Sequence, residues 1–164
     1  MSNQDKNYFI RRCFLWKCSQ VDEYLFYKEE NVKRNPNHKD QSWDIEFNNT
    51  MCFDVKGTLV PKSLRKDFVI NDYYENEVIN FYYKNQSKGI RNHLQNRLFI
   101  VHYSFLKNER NLYLRCYWEL KKKAYQEFNQ LITSKLKLIK HKSVFAKCIF
   151  IIENESNNFS YKII

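Results

Sequence analysis

Residues 42–58 read SWDIEFNNTMCFDVKGT, and the alternation of apolar and polar side chains along them decides the fold. Trp43, Ile45 and Phe47 fall on one face of a first strand, with Asp44 and Glu46 on the other. Met51, Phe53 and Val55 fall on one face of a second strand, with Cys52, Asp54 and Lys56 on the other. Directly opposed residues of an antiparallel pair share a face, so the two apolar rows meet only if paired numbers sum to an even total. A loop of Asn48, Asn49 and Thr50 satisfies this, setting Phe47 opposite Met51 and Ile45 opposite Phe53. A two-residue loop would put Asp44 against Phe53 and mix the faces. Asparagine tolerates the left-handed backbone that such a turn needs.

The same register sets Asp44 opposite Asp54, with Lys56 two residues on. Facing like charges destabilise a sheet. Two close carboxylates share a proton or bind a cation, and an oxygen-only donor set points to Mg²⁺ or Mn²⁺. Lys56 beside such a cation can hold a water or steady developing phosphate charge. Gly57, one of two glycines in the chain, lets a backbone pass close by and is expected to end the strand with Pro61. The competing description is a half-exposed hairpin with an ordinary polar outer face.

Asp44 followed by Asp54-Val55-Lys56-Gly57-Thr58 resembles the core motif of the PD-(D/E)XK nuclease superfamily, the restriction-endonuclease-like fold. Trp43 stands where that motif often has proline. The resemblance implies that Asp44, Asp54 and the Val55 carbonyl ligate Mg²⁺ (or Mn²⁺) and that Lys56 orients the attacking water. Members often add a Glu from the first helix, a role that falls to Glu23, with Asp22 as the alternative.

The rest of the chain frames the hairpin. Its 164 residues, 43% hydrophobic and 17% aromatic, suit a single domain, 1–164, with its own core. Phe9, Cys13, Trp16, Val21 and Leu25 recur along 7–29 as one helix, or as two broken near Ser19. Residues 30–42 read as a loop, 72–95 as mainly helical, 97–105 (RLFIVHYSF) as a buried strand, and 112–118 as a short strand. A helix over 119–134 and two closing strands, 144–152 and 159–163, complete a mixed α/β domain: a central mixed β-sheet flanked by helices. Five irregularly spaced cysteines form no C-x-x-C pair. Cys13 and Cys18 with His38 could hold a metal; as small buried hydrophobes they fit a reducing compartment. No apolar run is long enough for a signal peptide or a membrane span, so a cytoplasmic protein without a membrane partner is expected.

A net charge of +10 favours a polyanionic partner, nucleic acid first. Lys84, Lys88, Arg91 and Gln95 fall on one helical face, and Arg97 follows them, a set suited to phosphate contacts. A second acid-free run carries Lys135, Lys137, Lys140, His141, Lys142 and Lys147, and Tyr73, Tyr74, Tyr82 and Tyr83 are either stacking or core residues. His102 is an auxiliary catalytic group or a satisfied sheet histidine. With these basic segments, the resemblance implies a Mg²⁺-dependent endonuclease acting on double-stranded DNA, with homodimerisation also expected from it. The alternative is a non-catalytic nucleic-acid-binding module on the same fold.

Overall fold

The structure is a computed structural model that describes residues 3–37, 39–40, 42–85, 94–106, 108–134, 136–155 and 158–164. Helix α1 (Asn3–Phe26) leads into strands β1 (Val32–Arg34), β2 (Ile45–Phe47) and β3 (Met51–Leu59). A 3-10 segment (Lys62–Asp67) and α2 (Asp72–Lys84) cross over to β4 (Arg97–Ser104). A second 3-10 segment (Asn108–Cys116) and α3 (Trp118–Ile132) precede β5 (Ile139–His141), β6 (Val144–Glu153) and β7 (Phe159–Ile163). The described strands form one mixed sheet in the order β1-β2-β3-β4-β6-β5, with β7 also paired to β6. β1, β2 and β3 are an antiparallel meander, while β4 runs parallel to both β3 and β6.

The period-two pattern of the central strands explains the layering. Leu98 and Ile100 of β4 and Ile149 and Ile151 of β6 join Phe53 and Val55 under Phe26 of α1 and Tyr125 and Phe128 of α3. Phe99, Val101 and Tyr103 of β4 and Cys148 and Phe150 of β6 face Val78 and Ile79 of α2. Both faces of β4 are covered, which is why Leu98 to Val101 is an unbroken apolar run and every position of the strand is buried. Phe26 stacks on Tyr125, their centroids 4.0 Å apart, fixing α1 against α3.

The hairpin register is the expected one: Ile45 pairs with Phe53 and Phe47 with Met51. Asn48 and Asn49 take positive φ, 51° and 55°.

Elsewhere the expectations need correction. α1 is unbroken and buries Cys18, Asp22 and Phe26 instead of the predicted apolar set. Asn3 to Cys13 are all exposed, and Tyr8, Phe9, Ile10 and Trp16 are more than half exposed, so the first half of the helix has no packed face. Residues 30–42 contain β1, whose one buried side chain is Val32. Residues 112–118 are not a strand; they end the second 3-10 segment and begin α3.

β3 does not stop at Gly57 but runs on to Leu59. The close approach there comes from a side chain and not from a backbone. A Cβ on Gly57 would lie 2.6 Å from Arg115 Nη1, and Arg115 Nη2 donates to the Gly57 carbonyl at 3.1 Å. α2 ends at Lys84 with Asn85 as its C-cap, so Gln95 does not continue its face. Lys88 and Arg91 lie outside the described residues.

Candidate active site

The β2–β3 ladder stops at Ile45–Phe53, one step short of Asp44 and Asp54. Placing both carboxylates on one tight rung would oppose like charges, and the strands fork instead. The Asp44 N–H moves to the Phe53 carbonyl (2.8 Å), and Asp44 Oδ2 accepts the Val55 N–H (2.8 Å). Asp54 turns its N–H the other way, to the Asn96 carbonyl (2.9 Å). A strand residue sends its N–H and C=O to the same side, so the Val55 carbonyl faces the gap that Asp44 caps.

Asp54 is nearly buried, its side chain 5% exposed. Lys56 Nζ lies 2.5 Å from Oδ1 and Arg97 Nε 3.3 Å from Oδ2. Even so, its pKa is pushed up to about 6: burial outweighs the Lys56 ammonium, and the charge of Asp44 adds to the rise against Arg97. Glu23, half-buried on α1, is pushed up to about 7, by burial first and then by Asp44. Arg34 and Lys56 pull the other way. Asp44 and Lys56 therefore act on both Glu23 and Asp54. Both carboxyls are shifted towards neutrality, and Asp44 contributes to each rise.

Glu23 and Asp44 line a polar cleft of about 330 Å³ between α1 and the 35–44 loop, together with Trp16, Arg34, Asp40 and Trp43. Buried Asn35 organises that loop. Its Nδ2 donates to Asp40 Oδ2 (3.0 Å) and to the Trp43 carbonyl (2.9 Å), and its Oδ1 accepts the Asn37 N–H (2.9 Å). Ser42 donates twice to Asp40 Oδ1, and these hydrogen bonds hold the Asp40 carboxyl below its ordinary range. Sequence reading missed Asn35, Asp40 and Trp16. An Asx-rich stretch directly before the first acid was the signal for the loop.

A larger, more apolar cavity of about 840 Å³ lies where the second 3-10 segment meets α3 and β7. Its buried acid, Glu153, already pairs with Arg110 and accepts from Ser104 Oγ at 2.6 Å. None of the predicted site residues lines it, so the polar cleft is the better match to the chemistry.

Asp22, the alternative to Glu23, turns inward. Its Oδ1 accepts from Lys121 Nζ (2.6 Å) and Tyr125 Oη (2.7 Å), all three groups being buried. Arg97 is buried at the start of β4 with its Cζ 5.2 Å from the Tyr83 ring centroid, so its expected place on a phosphate-binding surface is corrected: it serves Asp54. Lys84 is exposed at the end of α2. Lys147 is buried against Glu75 at 3.0 Å and is not part of a basic surface. His102 is buried in the middle of β4 with Nδ1 3.0 Å from the Thr58 carbonyl, and burial holds its pKa well below the ordinary range. Tyr82 and Tyr83 tie α2 to the end of β3 and to the segment before β4 through the Leu59 and Gln95 carbonyls.

The donor set at the fork is all oxygen: Asp44, Asp54 and the Val55 carbonyl, with Glu23 at the mouth. Among the described residues no three Asp, Glu, His or Cys side chains are gathered as a ready-made metal cluster. Mg²⁺ is commonly held by one or two carboxylates with water and substrate phosphate filling its remaining positions, and the residues present fit that pattern. Lys56 neutralises one Asp54 oxygen. Among the described residues no helix is long and apolar enough to cross a membrane. Comparison with protein-family models, with curated proteins and with solved structures gave no match.

Proposed function

We propose that the protein is a Mg²⁺-dependent (or Mn²⁺-dependent) endonuclease with a restriction-endonuclease-like core, hydrolysing phosphodiester bonds in DNA. The observation that carries this reading is the fork. Asp44 and Asp54-x-Lys56 meet where two strands separate, and Asp44 shares a polar cleft with Glu23. The order of helix, three-strand meander, helix and parallel strand around it supports the same core. A bound divalent ion would supply an acidified water and charge relief on the leaving oxygen. Asp44, Asp54 and the Val55 carbonyl would hold the ion. Lys56, 43% exposed, has the freedom to leave Asp54 and hold the attacking water. Glu23, with a pKa near neutrality, suits it to take a proton from that water.

A second reading, a nucleic-acid-binding module without catalysis, is favoured by one observation: both oxygens of Asp54 are engaged by Lys56 and Arg97. Nicking of supercoiled plasmid in Mg²⁺ or Mn²⁺ decides between them. Cleavage by the wild type that is lost in Asp54→Ala and Lys56→Ala is the expected result. Salt-sensitive DNA binding with no cleavage in either metal would replace the nuclease with the binding module.

A further inference from the structure

The cleft between α1 and the 35–44 loop has features that phosphodiester chemistry alone does not use. Two of the three tryptophans of the chain, Trp16 and Trp43, line it. Trp16 is 57% exposed, a large apolar ring left in water at the rim of a polar cleft. Lys17 Nζ lies 4.8 Å from the Trp16 ring centroid, and Arg34 also lines the cleft. Gln20 and Asn37 bring side-chain amides, each a donor and an acceptor, to the same space. Asn35 donates to the Trp43 carbonyl and so holds the backbone of that wall.

We propose that this cleft is the seat for one unpaired nucleotide, so that the substrate of the fork site is DNA carrying a single-stranded, mismatched or turned-out base. The inference rests on the nuclease reading for its substrate class. Aromatic rings stack on any base, and amides and carboxylates read base edges. A volume of about 330 Å³ is at the small end of ligand pockets, enough for a monomer and too small for a duplex. Extruding a base costs least where it is already unpaired or mismatched, which makes DNA structure the selected feature. Phosphates flanking the seated base meet Lys17 and Arg34, and one of them lies towards Asp44 and Glu23, which share the cleft. An organic cation also suits indoles with carboxylates. The basic half-helix beside the cleft, with Lys6, Arg11, Arg12 and Lys17 against the one acid Asp5, opposes that occupant.

The test uses the full chain in EDTA with duplexes carrying 2-aminopurine, either unpaired or fully paired. Binding is expected to quench the unpaired reporter and to be at least about tenfold tighter for the unpaired duplex, and Trp16→Ala is expected to remove both effects. Trp16→Phe is expected to restore part of the quench. Because Trp16 is exposed, its loss leaves the core intact. Equal affinity for the two duplexes, or a quench that survives Trp16→Ala, overturns the proposal. So does tetramethylammonium that saturates a tryptophan signal while the 2-aminopurine stays unchanged. Adding Mg²⁺ to the same duplexes separates the two readings. Quench without cleavage keeps the nucleotide seat and sinks the nuclease, whereas cleavage indifferent to Trp16 keeps the nuclease and sinks the seat.

Discussion

Replacing Asp54 by Asn should stabilise the fold at pH 8 in the absence of divalent ions. The Asp54 carboxylate lies between Lys56 and Arg97, yet its pKa rises from 3.8 to about 6, because burial costs the charged form more than the two cations return. The unfolded chain releases this proton first. The cost to stability therefore sets in as pH rises past the unfolded value and is fully present above about 6. At about 1.36 kcal/mol per pKa unit, roughly two units cap that cost near ~3 kcal/mol. The attractions of Lys56 and Arg97 are already inside that net shift, so a gain below the cap, about 1–2 kcal/mol, is expected. For a chain of this size that raises Tm by roughly 2–8 °C. Thermal unfolding followed by circular dichroism at pH 4 and pH 8, in EDTA and in Mg²⁺, reads the effect. Wild type and variant should coincide at pH 4 and separate at pH 8. Mg²⁺ should then lift the wild type alone, by about 2.7 kcal/mol at a hundredfold excess over Kd. A variant less stable than wild type at pH 8 in EDTA would refute the reasoning, since the ion pairs would then outweigh desolvation.

Three other expectations follow from the same geometry. Mg²⁺ affinity should climb most steeply between about pH 6 and 8, where Asp54 and Glu23 lose their protons, and Glu23→Gln should flatten the upper part of that climb; calorimetry in two buffers of different ionisation enthalpy counts the protons released. Lys121→Met should cost roughly 3–5 kcal/mol in urea unfolding because it strands buried Asp22, and adding Asp22→Asn should recover much of that loss. Gly57→Ala should cost about 1–3 kcal/mol, since its Cβ must displace the Arg115 guanidinium, and a variant as stable as wild type would show that Arg115 yields freely.

The hairpin was legible because its determinants are local. Two apolar rows, a parity rule and two asparagines suffice to set Ile45 on Phe53, and the structure agrees. β4 was legible from its apolar run, and β6 and β7 from their length and the polar turn between them. The phase of α1 was not. Its buried stripe is Cys18, Asp22 and Phe26, and the middle member is a carboxylate whose partner, Lys121, lies 99 positions away. No periodicity of apolar residues reveals a face organised around a distant ion pair. β1 and β5 are three residues each and carry little pattern of their own. The acids of the fork were named from sequence, but their separation at the end of the ladder and the enclosing loop were not, because both depend on Asn35, Asp40 and the approach of α1. Arg97 read as a surface cation because nothing nearby in sequence pointed to its burial against Asp54.

α1 rises about 1.5 Å per residue for 24 residues, but its anchoring side chains begin only at Cys18. The roughly 22 Å before that point depend on intrinsic helicity, which is marginal for a segment this short in water. Its amide protons should exchange through local opening long before those of β4, and a protease should reach it while the core stays closed. Such a segment can unwind and re-form without disturbing the sheet, so it can change length and direction as it meets a partner. The protein thus joins a packed sheet to a half-helix held by little beyond its own hydrogen bonds, and exposed Trp16 lies in the last turn of that half-helix.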